Sequence, residues 1–377
     1  MAVEKVVPIL EEETVEIEVT PVEEEVTFDP SNTVLLDDGS AVVNYEENEN
    51  ESEDNFNANL AENMEDSQLG ELTNELLAAY KDDLESRAEW LESYTDGLDL
   101  LGTSTDERSE PFRGASGVYH PLLAESATQF QSQAYKELLP PSGPVQTRLI
   151  GETSKEVEAQ AQRVKDYMNF MVLDVMEEFD PELDQMLYYL PLSGSTFKKT
   201  YFDETLDRPV SKFVPADDLV VAYTESNLQT CGRFTHVINM SYNDLRKLQV
   251  SGFYKDIEII EDEQGDENES KGKIQDITGF KRSSQTSDMV TILEMHVDLD
   301  LEGYEDEDKD GEATGIAIPY IVTIHEETMD ILAIRRNYRE DDPKKQKIRY
   351  FTHYKFTPGL GFYGFGLIHM IGGLTKS

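Results

Sequence analysis

Gly359, Gly361 and Gly364 stand in the spacing G-x-G-x-x-G, which in a dinucleotide site turns a strand into a helix so that backbone N–H groups meet a pyrophosphate. The setting fits only in part. Phe362, Tyr363 and Phe365 crowd the loop, and the sequence stops at Ser377, short of the position where an acidic residue would hold a ribose. The alternative is a flexible aromatic approach to a helix, which asks for less. Asp306, Asp308 and Asp310, followed by Gly311, begin a calcium-loop pattern and form the one candidate divalent-ion site. The closing position is Ala317 instead of a bidentate Glu, the frame shifted to Asp298 ends on Lys309, and the flanks read as strands, so an acidic hairpin tip is the competing reading. His120, His236, His296, His325, His353 and His369 include no i,i+4 pair and no neighbouring cysteine, so zinc is not expected. Ser193-Gly194-Ser195 reads as a turn whose hydroxyls have no identifiable base. No set of residues supplies nucleophile, base and oxyanion donor together; neither catalytic residues nor a cofactor are expected.

One basic cluster interrupts an acidic chain. Lys344, Lys345, Lys347 and Arg349 follow Arg335, Arg336 and Arg339. The cluster suits an acidic neighbouring subunit, a nucleic-acid backbone or a solvated turn, and the first reading makes Lys344, Lys345, Lys347 and Arg349 the candidate subunit contact. Elsewhere the balance is reversed: 32 Lys plus Arg against 78 Asp plus Glu give a net charge of −46 over 377 residues. Nucleic-acid affinity depends on Lys and Arg displacing condensed counterions, so tight static DNA binding is not expected, whereas DNA sliding past without sticking is compatible. Cys231 is the single cysteine, which excludes an intrachain disulfide and fits a reducing compartment. With neither a signal-like leader nor an apolar run of membrane-spanning length, the expectation is a soluble protein without a membrane partner.

The elements that must position these groups change character along the chain. The first 70 residues hold 21 acidic residues and one basic residue, Lys5, which predicts a disordered acidic tail over 1–68. Within it VEIEV (15–19) and TVLLDDGSAVV (33–43) are candidate docking motifs. Residues 69–190 read as helical. Leu69, Leu72, Leu76, Tyr80, Leu84 and Leu91 trace one helix lasting until Asp96-Gly97. A second helix starts near Pro121, carries Leu123, Ala127, Phe130, Ala134 and Leu138 on one face and stops at Pro140-Pro141. VQTRLIG (145–151) is β-like. Val157, Ala161, Val164, Met168, Met171 and Val175 alternate spacings of four and three, a narrow seam suited to core packing against one partner helix. Asp180-Pro181 starts a short helix. Residues 191–355 read as β-rich, with strands at 196–202, 209–214, 218–223, 233–240, 288–299, 318–326, 330–338 and 349–356, a hairpin near Met329, and a brief helix capped by Ser241. Helices first and strands afterwards predict an α+β fold, a helical layer beside a β-rich module.

Four segments carry a resemblance. GASGVYHPLLAESATQFQSQAYKELLP (114–140), YYLPLSGSTFKKTYFD (188–203), VPADDLVVAY (214–223) and FTPGLGFYGFGLIHMIGGL (356–374), in that order, resemble the portal proteins of tailed bacteriophages, and within them the podovirus-type, P22-like portals. The likeness covers about residues 70–377. It implies a structural ring, typically twelve-fold, at one capsid vertex of the virion, assembled in the bacterial cytoplasm. Through such a ring a terminase motor drives double-stranded DNA, capsid proteins surround it and tail-adaptor proteins attach. Under this resemblance 69–190 and 191–355 are the helical and β-rich parts of the portal wing. Residues 356–377 begin a stem-like helix, and the clip, returning helix, tunnel loop and crown of such portals are not visible in this sequence, which reads either as the front part of a portal subunit or as a chain with an incomplete portal function. The competing expectations are a capsid-interior or scaffold-like protein recruiting partners through its acidic tail, and a metal-dependent hydrolase using the acids of 298–310.

Overall fold

Period-two alternation through MVTILEMHVDL builds the strand at the centre of the fold, because successive side chains serve two opposite layers. The computed structural model describes residues 33–35, 41–43, 55–101, 121–151, 154–203, 206–257, 289–307 and 312–375. The protein is α+β, and every described strand pairing is antiparallel. It divides into two units, Met1–Asn55 and Phe56–Ser377. In the first, Thr33–Leu35 (β1) pairs with Ala41–Val43 (β2), so the apolar patches of TVLLDDGSAVV are two strands. VEIEV and most of the disorder expected over 1–68 fall outside the described residues, but the expected tail runs too far: Leu60–Glu62 is a 3-10 turn with Leu60 and Ala61 buried in the core, so the folded unit starts before Leu69.

The second unit begins its helices with Asp66–Ser86 (α1) and Ala88–Leu98 (α2). The single helix expected here is broken at Arg87, whose backbone (φ −104, ψ 0) leaves the helical well while its side chain turns into the core. Leu122–Leu138 (α3), Lys155–Phe170 (α4) and Phe179–Ser193 (α5) follow, and a π-helical turn, Met171–Val175, extends α4. Residues 145–150 form no strand, contrary to the β-like reading of VQTRLIG. Asn169 of α4 takes both backbone groups of Val145, accepting from its N–H at 2.9 Å and donating to its carbonyl at 3.2 Å, and so replaces a strand neighbour.

Two sheets carry the rest. Ser195–Asp203 (β3), Arg208–Pro215 (β4) and Phe351–Lys355 (β10) form one, in the order β10-β3-β4. The other is β5-β6-β7-β8-β9, made of Leu219–Val220 (β5), Arg233–Ser241 (β6), Met289–Leu299 (β7), Ile318–His325 (β8) and Ile331–Arg336 (β9). The Ser241 hydroxyl caps Tyr242–Val250 (α6) by accepting from the Asp244 N–H at 3.1 Å, and Met329 turns the β8–β9 hairpin at φ +61. Leu367–Thr375 (α7) ends the described chain.

Alternation on β7 then assigns the layers. Leu293, Met295 and Val297 meet Leu76, Leu77 and Tyr80 of α1. Ile292 and Val290 point the other way, against Leu245 of α6. Beyond them the same face of the five-stranded sheet meets the three-stranded one, where Phe234 joins Phe197, Val214 and Phe351. A helical core of α2, α3, α5 and α7 gathers Tyr94, Leu98, Leu123, Ala127, Leu192 and Ile368.

Candidate functional site

The glycines of the G-x-G-x-x-G spacing serve a backbone junction. Gly194 ends α5 at φ +83, and a Cβ there would meet the backbone of Phe365 and Gly366. A Cβ on Gly364 would meet the Gly194 and Thr357 carbonyls, and one on Gly366 the Leu192 carbonyl. The loop therefore lies directly against the α5–β3 turn, with no room for side chains between the two backbones. Ser195, fully buried, accepts from the Gly364 N–H at 2.8 Å and is 3.0 Å from His353 Nε2. This corrects the expectation that the Ser193-Gly194-Ser195 hydroxyls have no base nearby. His353 packs against both Phe197 and Phe362, 4.5 and 4.7 Å away, and burial pushes its imidazole down to about 3. The pair holds β10 to the loop; a serine enclosed in this way has no path to a substrate.

Arg87 closes the junction from the helical side. Its guanidinium donates to the carbonyls of Ala216 (2.8 Å), Asp217 (2.7 Å) and Leu219 (3.1 Å) and to the Tyr363 hydroxyl (3.1 Å). Tyr363 in turn donates to the Leu219 carbonyl and accepts from the Val221 N–H. The charge is thus met by three carbonyl dipoles at 216–219 and one hydroxyl, while Nε is buried without a hydrogen-bond partner. Three of the segments that carry the portal resemblance converge here, 188–203, 214–223 and 356–374. The fourth reaches the same region through Leu123 and Ala127 of α3, packed with Leu192 and Ile368.

A second polar group lies between the sheets. Glu294 accepts from Lys199 Nζ at 2.7 Å and sits 3.0 Å from His296 Nε2 and 3.7 Å from His236 Nδ1. Burial would raise the Glu294 carboxyl, but the Lys199 ammonium and the two imidazoles outweigh it and hold it well below the usual carboxylate range. Burial lowers His296 against the pull of Glu294. With Nδ1 receiving Asn337 Nδ2 at 3.4 Å, His296 is a neutral donor to Glu294 through Nε2. Sequence reading missed this group. Its signal was present in Glu294 and His296, two polar residues at i,i+2 and hence on one face of an apolar strand. Among the described residues no cluster of three or more His, Cys, Asp or Glu could hold a metal ion.

Of the candidate divalent site, Asp308 and Asp310 lie outside the described residues. Asp306 is engaged by Lys345 Nζ at 2.5 Å and by the Thr314 hydroxyl at 2.7 Å. Lys345 therefore works within the chain, as does Lys347, which reaches Asp298 at 3.0 Å and the Cys231 carbonyl at 3.1 Å. Lys344 and Arg349 are exposed, and neither side chain makes a hydrogen bond or ion pair among the described residues. Arg335 and Arg336 hold the start of the folded unit, donating to the carbonyls of Asn57 (2.7 Å) and Phe56 (2.9 Å).

Helix α4 departs furthest from expectation. Its seam of Val157, Ala161, Val164 and Met168 was expected to pack into the core, yet no residue of α4 is buried. Val157, Val164, Tyr167, Met168, Phe170 and Leu173 are all exposed, and Tyr167 keeps 61% of its surface. Ser154 caps the helix by accepting from the Val157 N–H, so local rules form it and tertiary packing does not cover it. No described helix is long and apolar enough to cross a membrane. The chain matches no family model and no curated protein.

Proposed function

We propose that this chain is a structural subunit of a portal ring at the capsid vertex of a tailed bacteriophage virion. The observation that supports this reading is the junction. Four segments with portal-like sequence, spread over about residues 114–374, pack against one another around Arg87, Tyr363 and the Gly194–Gly364 contact. They thus represent one folded unit, in the order that the resemblance requires. In this role double-stranded DNA passes through the ring without sequence-specific contacts, the terminase motor and tail adaptor dock on it in turn, and the acidic balance keeps DNA from sticking. Lys344 and Arg349 are the proposed inter-subunit cations, since Lys345 and Lys347 already have acidic partners.

Electron microscopy of the purified chain tests the proposal: closed rings with a central channel are expected, about twelve subunits each. Particles that stay open or single at every concentration and salt level would refute it. Lys344→Glu combined with Arg349→Glu should reduce ring yield with the circular dichroism spectrum unchanged; an undiminished yield would remove these two residues from the contact.

A further inference from the structure

We infer that α4 is a self-recognition helix, which pairs antiparallel with α4 of a second copy of this chain. Three observations on α4 carry this. Its apolar seam is uncovered, with no residue buried from Lys155 to Phe170. Its spacing of four and three is that of a two-helix seam, in which each side chain enters a gap on a facing helix. Its charge is neutral, with Lys155, Arg163 and Lys165 against Glu156, Glu158 and Asp166, in a chain whose net charge is −46. A second copy is repelled by most of this surface and not by this helix.

Charge also selects the direction. With a two-fold axis between Ala161 and Val164, Val157 faces Met168 of the second copy and Ala161 faces Val164. The flanking positions then set Glu158 against Lys165 of the other helix twice, once on each side of the axis. Neither Glu158 nor Lys165 makes an ion pair among the described residues, so both are available. Parallel pairing would set Lys165 beside Gln160 and form no such ion pair. A two-fold contact closes on itself, so this pairing is separate from the cyclic contacts of the proposed ring and does not rest on that reading.

Analytical ultracentrifugation of the full chain, up to about 1 mM, reaches the weakest specific contacts, and a concentration-dependent pairing is expected, of single chains or of whole rings. Val164→Asp should weaken it by at least about tenfold, because a carboxylate in the seam loses its water. Glu158→Lys should weaken it about fivefold, and Glu158→Lys with Lys165→Glu should restore it within about twofold. All three substitutions are on a helix without buried residues, and circular dichroism checks that the fold is kept. Orientation is read by disulfide trapping: a mixture of Val157→Cys and Met168→Cys chains should cross-link, whereas Val157→Cys alone should not. A chain that stays monomeric throughout, or a dimer indifferent to Val164→Asp, would overturn the pairing. Cross-linking of Val157→Cys with itself would overturn its antiparallel direction. Rings that form while α4 pairing fails would leave the portal reading standing and this one refuted.

Discussion

At the residue scale, the buried cations decide most. Arg87 donates four hydrogen bonds to buried acceptors, the carbonyls of Ala216, Asp217 and Leu219 and the Tyr363 hydroxyl. Arg87→Met should cost about 3 kcal/mol or more in chemical denaturation, since buried acceptors are left unpaired. Lys198 is the opposite case. It is 3% exposed, its ammonium has no hydrogen-bond partner, and burial lowers it to about 8 despite Glu182 and Glu178. Between pH 8 and the ordinary lysine value of 10.5 the unfolded chain still holds a proton that the folded chain has released. Stability contributed by this site therefore rises with pH through that window. Lys198→Met should stabilise at pH 7 by about 1–3 kcal/mol, even without the cation–π contact to Phe179, and should flatten the alkaline rise. His353 gives the acidic counterpart. Held neutral down to about pH 3 while unfolded histidine protonates near 6.5, it makes stability fall as pH drops through that interval. The slope is up to about 1.4 kcal/mol per pH unit, and His353→Gln should reduce it in acid-denaturation curves.

At the element scale, the α5–β3 turn and the 359–366 loop are shaped by backbone contact. Gly194→Ala places a Cβ against the Gly366 and Phe365 backbone at φ +83, where relief requires moving two elements. A loss of about 2–4 kcal/mol is expected, read as a lowered midpoint of thermal unfolding. Gly70→Ala is the control. Gly70 lies within α1 with nothing near its would-be Cβ, so alanine should stabilise by about 0.5–1 kcal/mol. If both substitutions shift the midpoint alike, the close-contact account of the loop is wrong. Helix α4 shows the other limit of an element, complete in its cap and pattern yet without a core to join.

At the scale of the whole molecule, charge and exposed apolar surface pull in opposite directions. A net charge of −46 disfavours association, while α4 and exposed Leu360 leave apolar area uncovered. Assembly should therefore strengthen with salt, because screening weakens repulsion between subunits and leaves apolar burial intact. Ring or dimer populations measured by mass photometry from 50 to about 500 mM salt are expected to rise; a steady fall would mean that attraction between opposite charges holds the assembly together.

The amino-acid sequence alone determined what local period and local chemistry govern. Short runs rich in β-branched and aromatic residues, divided by turn residues, placed β3, β4 and β6 to β10, Ser241 announced α6, the turn at Met329 was in place, and helices preceding strands made the fold α+β. What only the tertiary structure decided is which faces meet. The α1–α2 break at Arg87 was invisible in an unbroken apolar stripe, because the cause is four acceptors about 130 and 276 residues away. The sequence spacing of Gly359, Gly361 and Gly364 matched a phosphate loop, whereas the neighbours that require glycine are the Tyr363 carbonyl at Gly359, Tyr223 at Gly361 and the Gly194 and Thr357 carbonyls at Gly364. Lys199 and Glu294 became partners only when the two sheets stacked, and Ser195 and His353 only when β10 paired with β3 across about 158 residues of sequence. The seam on α4 was legible as a seam, but not as an uncovered one. A helix carries its own period in its sequence, while burial depends on whether another part of the fold reaches it.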